Sequence, residues 1–193
     1  MRRARHPAGF SLIELLVALG LGLAIAVAAV AATATALRYL VRLALRAEAD
    51  DIVSMGLEAF TLDVRRAGFD PRAVGLAAVV EATAARLGLQ ADLDGDGAID
   101  VTSEELTTIA CDLAGARLSR IVGSQSLPLA NGVVTCALAY ADGTGTAIPV
   151  PPAGLDAATR SRIRRATLDL GLRPSASTAP SSNSATVALR SAP

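Results

Sequence analysis

Four aspartates in one short stretch are the first candidates for chemistry. Asp92, Asp94, Asp96, Gly97 and Asp100 follow the calcium-loop template D-x-D-x-D-G with an acid at the ninth position. Three carboxylates at alternate positions can converge on one hard cation. Gly97 permits the sharp turn, Ala98 can offer its carbonyl, and Ile99 can pack beneath the loop. Ser103 stands at the twelfth position, where a bidentate Glu is expected, and Glu104 comes one residue later. The pattern therefore predicts calcium ligands at Asp92, Asp94, Asp96, Ala98, Asp100 and Glu104. The competing reading is a solvated Asp/Gly turn joining two strands, since such turns accept acidic residues freely. Mutual repulsion of the carboxylates without a counterion speaks for the metal.

Glu14 is a second kind of candidate, a single carboxylate inside a long apolar segment. No charged side chain occurs from Leu15 to Leu37, a 23-residue run. At the helical rise this run reaches roughly 34 Å, enough to cross a bilayer core. A charge within such a segment is costly and marks function by default. Arg2, Arg3 and Arg5 precede it, and positive flanks stay cytoplasmic, so the bulk of the chain is expected outside the membrane. Gly20, Gly22, Ala24, Ala26, Ala28, Ala29, Ala31 and Ala32 are small enough to let helices approach closely in lipid. A plain anchor carrying a chance acid is the alternative.

Cys111 and Cys136 are the two cysteines. Both fall in predicted strands on the exported side, where disulfides persist. Their spacing matches neither a zinc site nor a CxxC redox motif. A bridge between them would close a loop of about 25 residues and stabilise by a few kcal/mol; two buried free thiols are the other possibility. Catalytic sets are lacking. The sole histidine is His6, there is no Lys, and no Gly-rich phosphate loop joins a strand to a helix. An enzyme is not expected.

The elements that must position these residues come next. Val53, Leu57, Phe60, Val64 and Ala67 recur at three- and four-residue spacing, the apolar face of a helix. Glu48, Asp50, Asp51, Asp63 and Arg65 are assigned to its other faces. No proline lies between Pro7 and Pro71, so one long helix is expected to end near Gly68. Strand patterns follow at Leu76–Ala82, Leu87–Ala91, Leu106–Cys111, Arg117–Val122, Val133–Tyr140, Ile163–Leu172 and Thr186–Leu189. Turn signals lie at Asp94–Gly97, Asn131-Gly132, Asp142-Gly143 and Pro149–Pro152. The stretch Pro174–Ser184 is poor in apolar residues and reads as a mobile loop. Phe60 and Tyr140 are expected in the helix–sheet core, and Arg162, Arg164 and Arg165 at a solvated strand end. The fold class is α+β: a long N-terminal helix, transmembrane in its first half and amphipathic in its second, on a C-terminal antiparallel sheet.

The opening Gly9-Phe10-Ser11-Leu12-Ile13-Glu14, behind a basic leader and ahead of the long helix, resembles the class III signal of type IV prepilins and type II secretion pseudopilins. The helix close Asp63-Val64-Arg65-Arg66-Ala67-Gly68-Phe69, the acidic loop followed by Glu104-Glu105-Leu106, and the last strand Thr186-Val187-Ala188-Leu189-Arg190 are similar to PilW-type minor pilins. The resemblance implies a pilin-like fold and a prepilin peptidase as partner. It implies cleavage between Gly9 and Phe10, N-methylation at Phe10, and a Glu14 that pairs with the freed amine of a neighbouring subunit. The implied organisation is a leader over 1–9, a transmembrane assembly helix over 10–37, an amphipathic continuation over 38–70 and a β-rich globular domain over 71–193.

Cleavage would remove His6 and three arginines, leaving a mildly acidic chain ill suited to nucleic acid. The expected function is a minor type IV pilin, a structural subunit of a priming or tip complex among other major and minor pilins and the assembly machinery. The expected location is the bacterial inner membrane, with the C-terminal domain periplasmic, and then the pilus fibre. The alternatives are a GspJ-like type II secretion pseudopilin and a non-polymerising, membrane-anchored calcium-binding or adhesive module.

Overall fold

Helix α1 runs without interruption from Leu12 to Arg66 in the computed structural model, which describes residues 11–173 and 180–190. Termination follows the punctuation of the sequence. Gly68 adopts φ +75°, its N–H donates to the Gln90 carbonyl at 2.9 Å, and Pro71 follows. A Cβ at position 68 would stand 3.0 Å from that of Ala78, so both the backbone angle and the space call for glycine.

The chain divides into two compact units, residues 1–44 and 45–193. The described part of the first is helix alone, and its large apolar side chains from Leu12 to Leu43 are exposed. By length and composition this helix can cross a membrane.

In the second unit, Ala49, Val53, Leu57, Phe60, Val64 and Ala67 are buried against β-structure. Gly56 marks the closest approach. A Cβ there would lie 3.1 Å from Leu170 Cδ2 and 3.4 Å from Leu118 Cδ2, and these leucines belong to different sheets. Asp63 corrects the helical-face assignment. It is 5 % exposed and lies on the buried side, three residues after Phe60, because an arginine from the sheet meets it there.

The first sheet is an antiparallel meander of β1 (Val79–Ala82), β2 (Arg86–Gln90), β3 (Leu106–Asp112), β4 (Arg117–Val122) and β5 (Gln125–Asn131), neighbours in chain order. The second contains β6 (Val133–Ala141), β7 (Ala147–Ile148), β8 (Arg165–Leu172) and β9 (Ser181–Ala188), ordered β7-β6-β8-β9 and also antiparallel. A one-turn helix, α2 (Ala157–Arg160), precedes β8. The fold is thus α+β, with two sheets where one was expected. Asn131-Gly132 is the point of division: β5 ends and β6 begins there, but the two strands do not pair.

The sheets are joined by the disulfide between Cys111 of β3 and Cys136 of β6, with Cα atoms 5.7 Å apart. Tyr140 of β6 adds a polar tie, donating its hydroxyl to the carbonyls of Thr83 at 2.7 Å and Arg86 at 3.2 Å at the β1–β2 turn. Burial pushes the Tyr140 phenol well above its ordinary range. The expected loop over 174–184 is corrected in its described part. Ser181–Ser184 form the start of β9, because their backbone completes the ladder with β8 from Leu172 to Asp169. Residues 174–179 lie outside the described residues.

Candidate functional site

The acidic loop connects β2 to β3 and is clamped at both ends. At its start the Asp92 N–H donates to the Phe69 carbonyl at 2.8 Å, which fastens the loop to the segment leaving α1. Alongside it, Arg72 Nη1 donates to the Asp96 carbonyl at 2.7 Å. Arg72 is itself held in a turn whose carboxylate, Asp70, accepts the N–H groups of Val74, Gly75 and Leu76. Desolvation opposes the charge of Asp70, but these donors together keep its carboxyl below the ordinary range.

Carboxylates pull the loop backbone inward. Asp92 is fully buried; its Oδ1 accepts from Gly95 N at 2.7 Å and Asp96 N at 3.1 Å, and its Oδ2 from Gly97 N at 2.9 Å. Asp94 Oδ1 accepts from Asp96 N, and Asp96 Oδ1 from Ala98 N. Gly95 and Gly97 have φ of +77° and +83°, which lets successive N–H groups point at one centre. Asp100 Oδ1 takes both the hydroxyl and the N–H of Thr102, and these hold its carboxyl below the usual value.

One oxygen from each of Asp92, Asp94 and Asp96 lies within 4.8 Å of the others. That spacing suits shared coordination of one hard cation. Ca²⁺ takes six to eight oxygens, so these three carboxylates are a partial set; Asp100, whose Oδ1 is taken by Thr102, is not among the oxygens that converge.

The structure places Glu104 away from that set. Its carboxylate meets Arg66 Nη1 and Arg120 Nη1, each at 3.4 Å. The neighbouring Glu105 turns inward instead and is buried. Its Oε1 accepts from Leu93 N at 2.8 Å and Asp94 N at 3.2 Å, and its Oε2 from Asp100 N at 2.8 Å. The Asp100 N–H is the largest influence holding the Glu105 carboxyl below its ordinary value. Strand periodicity carried this signal: with Ile109 in the core, Thr107 and Glu105 fall on the same face and Glu104 on the other. Ser103 at the twelfth position spends its hydroxyl on the Asp100 carbonyl.

Glu104 closes a polar chain that sequence reading missed. Arg120 of β4 grips Asp63 of α1 in a two-pronged pair, Nε to Oδ2 at 2.8 Å and Nη2 to Oδ1 at 3.0 Å. The Asp63 carboxylate raises the already high pKa of Arg120 further. The last turn of α1, the middle of β4 and the exit of the acidic loop are therefore held by one set of charges.

Of the remaining site residues, Gly9 and Phe10 lie outside the described residues. Glu14 sits in the first turn of α1, where the helix dipole favours a carboxylate. Its N–H donates to the Ser11 carbonyl at 3.0 Å. No protein-family model matches this chain, and none of the curated proteins compared with it matches either.

Proposed function

We propose that this chain is a minor type IV pilin, cut between Gly9 and Phe10 and built into a priming or tip complex through its N-terminal helix. The observation that carries the reading is a 55-residue helix with one acid, Glu14, at the head of a long exposed apolar run and a β-rich unit beyond it. An exposed apolar rod needs lipid or other rods around it. Its glycines and alanines suit close packing with similar helices. Cleavage would place the new amine of Phe10 four residues from Glu14. An amine and a carboxylate from neighbouring subunits would each neutralise a charge that is costly alone in hydrocarbon, and so would set an axial stagger.

On this reading the acidic loop is a low-affinity calcium site of the exported domain, and no enzymatic role is assigned. N-terminal mass spectrometry of the membrane-extracted protein, from cells with and without a prepilin peptidase, tests the proposal. An N-methylated Phe10 terminus that requires the peptidase is expected. A native protein that still begins at Met1 would overturn it.

A further inference from the structure

Three arginines line one cleft on the side of the domain that carries the start of β1 and the end of β9. The cleft has a volume of about 180 Å³; Arg160, Arg164 and Arg190 line it, with Leu76, Val79 and Ile163 among its apolar walls and no carboxylate in its lining. The arginines are held by neutral groups. Arg160 Nη1 donates to the Leu155 carbonyl at 2.7 Å. Arg164 Nη1 donates to the carbonyls of Ser161 and Ile163. Arg190 lies over the Phe69 ring, 5.4 Å from its centroid. None of the three forms an ion pair among the described residues. The nearby acid, Asp156, caps α2, its Oδ1 accepting from Thr159 N at 2.7 Å; it lies within electrostatic reach of Arg160 but does not pair with it. The Nε–H of Arg160 is buried and has no acceptor. A buried donor without a partner is costly and calls for an explanation.

We infer that this cleft binds a carboxylate carried on a short aliphatic stem. Guanidinium groups present planar, paired donors that match a carboxylate, and the apolar wall suits a hydrocarbon stem. The volume falls below the roughly 300–1,000 Å³ of pockets that enclose a whole drug-sized ligand, so the cleft suits an acidic side chain or a small organic acid. The inference stands on the cleft alone and is independent of the assembly reading.

The test uses the full chain in detergent at constant ionic strength. Glutarate, N-acetyl-glutamate amide and inorganic phosphate are titrated against chloride, read by melting temperature and calorimetry. Saturable binding of a carboxylate is expected, weakened at least tenfold in Arg160→Gln and unchanged in Arg173→Gln, which lies outside the cleft. A preference for the blocked glutamate points to a side chain of another polypeptide, and a preference for glutarate to a free acid. Within the fold Arg190→Gln gives up only the stacking contact with Phe69, so it serves if Arg160→Gln fails to fold, and weakened carboxylate binding is expected of it as well. Absence of saturable binding, binding equal in wild type and both cleft variants, or binding of phosphate alone would overturn the inference.

Discussion

Replacing Asp63 with Ala should destabilise the globular unit by far more than an ordinary surface change. Asp63 is 5 % exposed, and the side chain of its partner Arg120 is 14 % exposed. Removing one member of a buried ion pair typically costs about 3–5 kcal/mol, because the other charge is left desolvated. Glu104 stays within 3.4 Å of Arg120 and tempers the loss, so Asp63→Ala is expected near the lower end, about 3 kcal/mol. Replacing both partners by apolar residues of similar size, Asp63→Leu with Arg120→Met, should cost only about 0–1 kcal/mol, since no charge is stranded. Urea unfolding of the full chain in detergent, followed by the fluorescence of buried Tyr140, reads both. With a slope of about 1–3 kcal/mol/M, the single variant should move the midpoint by roughly 1–3 M. A single-variant loss under about 1 kcal/mol, or a double variant as unstable as the single, would refute the reasoning.

The Cys111→Ser, Cys136→Ser protein should lose about 3.5 kcal/mol from opening a loop spanning 25 residues, and reductant should act alike on the wild type; a loss below about 1 kcal/mol by the same unfolding assay would contradict the entropic account. Calcium at 10 mM, against a dissociation constant of about 1 mM, should stabilise the domain by about 1.4 kcal/mol. Asp94→Asn with Asp96→Asn should abolish that gain in a thermal melt. Stability should be flat from pH 5 to 8, because the sole histidine is His6, and should fall below about pH 4. The sign follows from Asp112, whose carboxyl is lowered first by the Gly115 N–H and then by Arg117, and from Asp142, lowered first by the Thr144 hydroxyl. Groups with depressed folded pKa values stabilise above their ordinary values and lose that contribution as the pH drops through the folded ones. An acid titration of the unfolding midpoint checks this, and Asp112→Asn should blunt the fall. Glu14→Val should leave membrane insertion intact and impair incorporation into sheared fibres, and normal incorporation would remove its assembly role.

The parts of the fold visible in the sequence are those where a local pattern and a buried face coincide. Val53, Leu57, Phe60, Val64 and Ala67 repeat with the helical period and are all buried. β3, β4 and β6 carry apolar cores and begin at the expected residues. The strands that escaped notice lack that coincidence. β5 reads Gln-Ser-Leu-Pro-Leu-Ala-Asn and is mostly exposed; as an edge strand it tolerates Pro128, which argues against a strand in a sequence pattern. The first half of β9 is Ser, Ser, Asn and Ser, held by backbone pairing with β8 and by the Ser181 hydroxyl donated to the Asp50 carboxylate. The division into two sheets rests on non-pairing across Gly132, and nothing local distinguishes that turn from a hairpin. Asp63 and Arg120 lie 57 residues apart, so their pairing depends on tertiary placement that no short-range pattern reveals.

The inward-facing donors of the acidic loop determine what kind of metal response it can give. Carboxylates crowded on one turn repel each other, and in many small sites a cation is needed before the backbone will order. Here Asp92 alone accepts three N–H bonds and Glu105 accepts another three. The loop therefore carries much of its counter-charge as oriented peptide dipoles. These bonds already fix the loop backbone, which leaves calcium little to organise. Its binding would draw together the outer oxygens of Asp94 and Asp96, raise the melting temperature slightly, and leave the secondary structure unchanged. The separation of Glu104 from Glu105 sharpens the point. The bidentate acid that gives high-affinity loops their grip is here committed elsewhere, Glu105 to the backbone and Glu104 to Arg66 and Arg120. A large gain of β-structure on adding calcium, read by circular dichroism, would contradict this geometry, because it would mean that the loop is not ordered until the cation arrives.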